Sequence, residues 1–412
     1  MTIKKTLWLS MATTLSFADA QLDQLRAELA AQKKHMQILE KKIEMLAQKQ
    51  QQQVLHAQAP NTSASFSQNA YLPDIAFILN MAAVGRNVAN ESYENFAIPG
   101  FIDSGDAELP FDKKRGFNFN YAEVAMRSTV DPYFNAFAIF HLHPDEFEIE
   151  EAYVRTRALP YGLRVEAGKF RSAFGRINAK HQHSWYFDQQ PIIYKALFGP
   201  EGIGGAGVQL QWVAPTETYL MAGIEGFEEG NDRSFGNSDH RNIVGYLKTS
   251  VDPTEDLSLL GGLSLAHGRH DGKRCDVYGI DMTVRNQFEG YSALIWQSEY
   301  LERHKQRTTG GKDRQAGFYT ELVYQYDNHY AGGFRYDRIT KNDTDLSAFT
   351  DIDTDRLDKY TAMIEYRPFP MSRLRLSYSW DRTKVIDGER KNLSEILFSL
   401  NIAAGAHGAH NY

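Results

Sequence analysis

The chain has 412 residues, of which 42% are hydrophobic and 24% charged, and its formal net charge is −7 at pH 7. This acidic balance argues against a general nucleic-acid-binding protein, because such proteins concentrate positive charge on one surface. The single cysteine, Cys275, excludes an intrachain disulfide. No run of 18 apolar residues follows the N-terminal segment, so the sequence offers no candidate transmembrane helix there.

Residues 1–20 have the three parts of a secretory signal peptide. Lys4 and Lys5 supply a positive region, residues 6–17 a short apolar stretch, and residues 18–20 a small-x-small cleavage site. The apolar stretch is too short to span a bilayer, so we expect a removed leader and not an anchor.

Residues 21–53 predict a short α-helical coiled coil. Apolar residues recur at a 3-4 spacing over about four heptads, and Gln32 is the polar exception. A seam of this kind requires partner helices, and one polar core position can set their register and number. The alternative is a single amphipathic helix lying on the rest of its own chain. The seam consists of Leu22, Leu25, Leu29, Met36, Leu39, Ile43 and Leu46.

Residues 54–70 are polar and predict a linker, whereas residues 71–412 alternate apolar and polar side chains in segments of about ten. In one segment, Ile396 and Phe398 alternate with Leu397 and Ser399. Side chains on a strand point to opposite faces with period two, so each segment has one apolar and one polar face. Sixteen such segments are centred near residues 78, 123, 138, 153, 168, 209, 222, 246, 263, 281, 298, 320, 335, 362, 377 and 397.

The connections between these segments alternate in length. One set is short and rich in turn-forming residues, and the other includes long stretches near residues 85–116, 176–205, 228–239 and 340–357. Short periplasmic turns and longer external loops are typical of outer-membrane barrels. The sequence therefore predicts an all-β fold: a 16-stranded antiparallel transmembrane β-barrel over 71–412, preceded by the coiled coil in the periplasm. A secreted, adhesin-like β-protein without a channel is the alternative.

A local match to a known family lies within residues 150–178, in the stretches Glu150–Val154, Leu159–Leu163, Ala167–Phe170 and Phe174–Asn178. With its leader, heptads and sixteen segments, the chain resembles the trimeric porins of Gram-negative outer membranes. It is most similar to the phosphate-selective porin O/P family and to dicarboxylate porins with an N-terminal coiled coil. The resemblance implies a homotrimer in outer-membrane lipid that passes small hydrophilic solutes. Its coiled coil could contact peptidoglycan or periplasmic envelope proteins.

Residues 176–205 form a long connection that is rich in aromatic residues and comes third among the external loops. In the porins that the chain resembles, this loop turns inward and narrows the pore. An ordinary surface loop is the alternative. The constriction candidates are His181, His183, Trp185, Tyr186 and Asp188.

Several charged residues fall on the polar faces of the predicted strands. On lipid each arginine would cost several kcal/mol near the midplane, so we expect these residues to line the lumen. A guanidinium suits carboxylate or phosphate, which favours anions, but acids on the same faces indicate pairing. The sequence therefore does not decide whether the channel prefers anions or cations. The pore-lining candidates are Arg155, Arg157, Lys169, Arg171, Arg335, Arg373, Arg375, Glu151 and Asp337.

Histidines occur in close pairs, notably His141 with His143 and His181 with His183. On a strand, this spacing puts both imidazoles on one face, where they can bind a metal such as Zn²⁺. A zinc-linked uptake channel with a histidine-rich external mouth is therefore the alternative to a simple porin, and polar loop histidines are the plainer explanation. No Gly-x-Ser-x-Gly or His-Glu-x-x-His motif is present, so we expect no enzyme and no cofactor other than this zinc.

Overall fold

The computed structural model describes residues 73–405, apart from 145, 229–230, 232, 237–240, 308–309 and 350–356. The predicted signal peptide, coiled-coil seam and linker lie outside these residues. Among the described residues, no helix combines the length and the apolar character that crossing a membrane requires.

Sixteen antiparallel strands of the described chain close into a barrel. Neighbours along the chain pair with each other, and the last strand pairs with the first, from Ala76↔Gly405 to Arg86↔Glu395. Along this seam, Asn80 donates a buried hydrogen bond of 2.8 Å from Nδ2 to Oδ1 of Asn401. The barrel strands are β1 (Asp74–Arg86), β2 (Gly116–Thr129), β3 (Phe134–Leu142), β4 (Phe147–Thr156), β5 (Leu163–Arg171), β6 (Gly204–Val213), β7 (Tyr219–Phe227), β8 (Asn242–Thr254), β9 (Leu257–His270), β10 (Lys273–Gln287), β11 (Ala293–Gln306), β12 (Lys312–Gln325), β13 (Tyr330–Asn342), β14 (Leu357–Phe369), β15 (Ser372–Asp381) and β18 (Leu393–Gly405).

The predicted barrel is confirmed, and each of the sixteen predicted centres falls inside one strand. On β18 the alternation is explicit, because Ile396 and Phe398 are exposed on the outside while Glu395 and Ser399 are buried inside. A water-soluble protein does not expose so continuous an apolar band, whereas lipid removes its cost. Further members of the outer band are Ile243, Leu263, Ile280, Trp296, Leu322, Ile364 and Leu376.

The two ends of the barrel differ in their connections. One, here the short-turn end, has only brief links, at residues 130–133, 157–162, 214–218, 255–256, 288–292, 326–329 and 370–371. The other, the long-loop end, carries the four long connections that the sequence predicted, but it also has short links at residues 143–146, 271–272 and 307–311. The last loop, 382–392, contains the hairpin of β16 (Val385–Ile386) and β17 (Glu389–Arg390).

Part of the interior near the long-loop end is occupied by a cluster of apolar side chains, which the period-two pattern did not predict. Two short helices contribute, α1 (Asn90–Glu94) in the first loop and α2 (Ile192–Phe198) in the loop between β5 and β6. Loop side chains pack there against inward wall residues such as Phe170 and Val277. We call this cluster the loop core. Its loop members include Tyr93, Phe96, Ile98, Ile102, Phe174, Ile193, Tyr194, Leu197, Phe198, Phe235 and Ile386.

Candidate functional site within the barrel

The connection between β5 and β6 covers residues 172–203 and is here called the inner loop; it begins four residues earlier than the sequence predicted. It is held by wall residues from separate strands. The Gly175 amide donates to Oγ of Ser264 on β9 at 3.0 Å, and the Ile192 amide donates to Oδ1 of Asp337 on β13 at 2.9 Å. Because these strands are far apart around the barrel, the inner loop crosses the lumen.

One glycine is required at the start of this crossing. Gly175 has a φ of 61°, a left-handed backbone conformation that residues with a Cβ rarely adopt. A Cβ there would also clash with the Tyr194 hydroxyl. The guanidinium of the next residue, Arg176, donates to Oδ1 of Asp281 on β10 at 2.6 Å. The inner loop therefore turns sharply away from β5, and its first residues form hydrogen bonds to another part of the wall.

An arginine cluster fixes the middle of the inner loop to β14 and β15. Nη1 of Arg375 donates to Oδ1 of Asp188 at 2.8 Å, and its Nε donates to Oε2 of Glu365 at 2.9 Å. The side chains of Arg375 and Glu365 are each 1% exposed. Arg373 donates from Nη1 to the His183 carbonyl at 2.8 Å. The cluster comprises Arg367, Arg373, Arg375, Glu365 and Asp188.

A cavity of about 280 Å³ lies beside this cluster. Pro370 and Met371 of a short turn and Ala403 near the end of β18 contribute to its lining, which places it at the short-turn end. None of the described residues that line it is Asp or Glu. We call it the cationic vestibule. Its basic and histidine lining residues are Lys180, His181, His183, Arg367, Arg373 and Arg375.

A second cavity, of about 500 Å³, lies toward the long-loop end and has a balanced lining, so we call it the mixed-charge mouth. Two predicted pore residues line it: Nζ of Lys169 donates to the Ile149 carbonyl at 2.7 Å, and Nε of Arg171 donates to Glu150 at 2.6 Å. Glu201 is exposed to this cavity, but partial desolvation of its carboxylate and the nearby charge of Glu150 raise its pKa to about 7. The charged lining residues are Glu108, Lys113, Glu148, Glu150, Lys169, Arg171, Glu201 and Arg233.

A histidine cluster surrounds Glu123, a carboxylate on β2 whose side chain is only 2% exposed. Its Oε2 lies 3.1 Å from Nε2 of His141, 3.4 Å from Nδ1 of His183 and 3.7 Å from Nδ1 of His181. The other nitrogen of His181, Nε2, lies 2.9 Å from Oε1 of Glu151. Burial lowers the pKa of His181, but the hydrogen bond to Glu151 and the charge of Glu123 outweigh burial and raise it.

The structure thus brings His141 of β3 together with the His181 and His183 pair of the inner loop, whereas Nδ1 of His143, just beyond β3, lies 3.0 Å from the Asn120 carbonyl. The remaining predicted pore residues are distributed around the wall. Arg155 donates to Glu166 at 2.6 Å, and Arg335 is buried with Asp337 at 3.0 Å. Arg157 lies beyond β4 in a short turn, exposed, where its guanidinium donates to the Asp131 carbonyl.

Some residues of the candidate site were not predicted from the sequence. Glu123 and Arg367 lie on inward faces of predicted strands, so the period-two register could have identified both. Lys180 lies on the inner loop, and only the path of that loop brings it to the vestibule. The candidates Trp185 and Tyr186 also lie on the loop and line the vestibule beside it.

Comparison with solved structures identifies the class of fold. An anion-selective porin from Comamonas acidovorans has a TM-score of 0.53 at 12% identity and covers 81% of this chain and 100% of its own. The outer membrane channel DcaP of Acinetobacter baumannii has a TM-score of 0.54 at 9% identity, covering 82% and 99%. OprB of Pseudomonas putida has a TM-score of 0.53 at 8% identity, covering 84% and 96%. The barrel has the fold of outer-membrane porins.

Sequence comparison gives the nearer relationship. No family model matches the chain. An uncharacterised protein of Aquifex aeolicus (strain VF5) is 37% identical over 383 residues, which cover 84% of this chain and 81% of the relative. The chain belongs to the same family as this Aquifex protein.

Proposed function

We propose that the protein is an outer-membrane channel for the passive diffusion of small hydrophilic anions. The observation that carries the anionic preference is the cationic vestibule, which has basic and histidine side chains but no carboxylate among its described lining residues. The porin fold and the outer apolar band support a channel in lipid and do not favour a secreted adhesin-like protein.

The two carboxylates of the arginine cluster do not neutralise the positive charge beside the vestibule. Arg367, Arg373 and Arg375, with Lys180, supply four basic side chains, whereas Glu365 and Asp188 supply two carboxylates. The guanidinium of Arg373 lies 3.6 Å from Asp188 and 3.8 Å from Glu365, and 14% of its side chain is exposed. A guanidinium suits a carboxylate or phosphate oxygen.

The position of the vestibule explains how this surplus positive charge would favour anions. Short turns of bacterial barrels face the periplasm, so the vestibule would open there and the mixed-charge mouth would face outward. The inner loop narrows the passage between them. In a narrow, weakly solvated channel, field lines concentrate and a small charge surplus selects the sign of the permeating ion.

Reversal potentials in asymmetric KCl across planar bilayers test the proposal. The wild-type channel is expected to prefer chloride, and Lys180→Gln/Arg373→Gln should lower the chloride-to-potassium permeability ratio about twofold or more because it removes two lumen charges. Arg157→Gln is the matched control, since this arginine is exposed in a turn, and should leave the ratio unchanged. A wild-type protein without conductance would refute the channel, and cation preference would refute the anionic selectivity.

We further propose that the channel assembles as a homotrimer through the coiled coil of residues 21–53. The strict 3-4 spacing of the seam supports this assembly. The mass of the detergent-solubilised complex, measured by light scattering with the detergent subtracted, should equal three chains. A monomeric mass would contradict the proposal.

A further inference from the structure

Glu123 differs from the other buried carboxylates of the barrel in the groups that compensate its charge. Glu365 and Asp188 contact guanidinium groups, which are always charged. Among the described residues, the ion-pair partners of Glu123 are three imidazoles, those of His141, His181 and His183. Imidazole nitrogens and carboxylate oxygens are both ligands of zinc-like metals, so these side chains form a set that can share one bound cation.

The imidazole of His181 is oriented so that one nitrogen faces Glu123. Its Nε2 is engaged by Oε1 of Glu151 at 2.9 Å. Its Nδ1 is buried, makes no hydrogen bond within the described chain, and lies 3.7 Å from Oε2 of Glu123. A histidine with one nitrogen held by a carboxylate and the other directed at an acidic site is the usual arrangement around a bound metal.

The imidazole of His141 is also held in place. It stacks on the ring of Tyr121, with centroids 4.6 Å apart and an interplanar angle of 21°. Tyr121 is itself fully buried, so the stack restricts rotation of the imidazole. The Nε2 atom of His141 is thereby directed at Glu123. The two histidines come from β3 and the inner loop, and the carboxylate comes from β2.

We propose that Glu123, His141 and His181 bind one divalent transition-metal cation of the zinc class, with His183 as a fourth ligand. The donor atoms of the first three residues lie within 4.8 Å of one another. Tetrahedral Zn²⁺ with bonds of about 2.0–2.1 Å places its ligand atoms roughly 3.3 Å apart. The separations of 3.1, 3.4 and 3.7 Å around Glu123 bracket that distance.

The donor set also determines the class of metal. Three imidazoles and one carboxylate suit zinc and its neighbours, whereas Ca²⁺ and Mg²⁺ prefer oxygen ligands. The site is buried in the wall of the lumen and His181 and His183 also line the cationic vestibule, so a bound cation would join the inner loop to β2 and β3. The site does not depend on the anion preference proposed above.

Isothermal titration of the full-length, detergent-solubilised protein with Zn²⁺ tests the site, using protein treated with EDTA and carrying no polyhistidine tag. We expect one Zn²⁺ per chain for the wild type, and at least about tenfold weaker binding for Glu123→Gln and for His181→Ala. Excess Mg²⁺ should not compete. Co²⁺ in place of Zn²⁺ should give the visible absorption of a tetrahedral centre in the wild type and lose it in both variants.

The matched control is His267→Ala/His304→Ala. Each of these histidines pairs with one carboxylate, at 2.7 Å from Asp276 and 2.6 Å from Glu302, and neither belongs to the histidine cluster around Glu123. The control should bind Zn²⁺ as the wild type does.

Glu151→Gln, which keeps all four ligands but weakens the orientation of His181, should reduce the affinity for Zn²⁺ less than His181→Ala does. Absence of stoichiometric binding to the wild type, or wild-type affinity in both Glu123→Gln and His181→Ala, would overturn the proposal. Mobility on unboiled gels establishes that each variant is folded.

Discussion

The arginine cluster and the histidine cluster attach the same inner loop to two sectors of the wall, with different chemistry. At the first, Arg375 joins Asp188 of the loop to Glu365 of β14. At the second, Glu123 of β2 faces His181 and His183 of the loop. Guanidinium groups keep their charge at every physiological pH, whereas imidazoles gain charge by taking a proton and bind metals when neutral. One attachment is therefore permanent, and the other depends on what the solution supplies.

The largest expected effect is on the permanent attachment. Glu365→Gln should lower the free energy of unfolding by about 3 kcal/mol, because it leaves buried guanidinium groups with Asp188 as their remaining acid. Urea unfolding followed by tryptophan fluorescence measures this loss. The control is Glu389→Gln, whose carboxylate lies exposed in the β16–β17 hairpin and should have little effect. Equal losses for the two variants would mean that the cluster does not hold the loop.

A smaller loss of stability is expected when position 375 keeps its positive charge but loses the planar guanidinium group. The ammonium group of Arg375→Lys cannot form hydrogen bonds to Asp188 and Glu365 at the same time, so the free energy of unfolding should fall by about 2 kcal/mol. The matched control is Arg157→Lys, an exposed site with one carbonyl contact. The same urea unfolding measures both variants. A wild-type midpoint for Arg375→Lys would show that charge alone maintains the attachment.

The smallest effect is expected at the conditional attachment. In EDTA at pH 8, Glu123→Gln should change the free energy of unfolding by less than about 1 kcal/mol, because the amide can still form hydrogen bonds to the surrounding imidazoles. This value contrasts with the loss expected for Glu365→Gln under identical conditions. A loss as large as that of Glu365→Gln would contradict the distinction between the two clusters.

The sequence accounts for the barrel wall better than for its contents. Period-two alternation located all sixteen strands, because lipid on one side and polar groups on the other impose the pattern on each strand separately. It also placed Arg375 on a lumen-facing side of its strand. The meeting of Glu123 with His181 could not be read in this way, since it depends on the path of the inner loop. That path is determined by the loop core, whose members come from distant parts of the chain.

The seam between β1 and β18 has a consequence for how the molecule is made. The hydrogen bond between Asn80 and Asn401 joins residues 321 positions apart, so the bond cannot form until almost the whole barrel sequence has been synthesised. Contacts at such separation form slowly, because the chain must lose much entropy before they contribute. Until then β1 and β15 have open edges that can pair with other chains. The interval before closure is therefore when this protein most needs protection from aggregation.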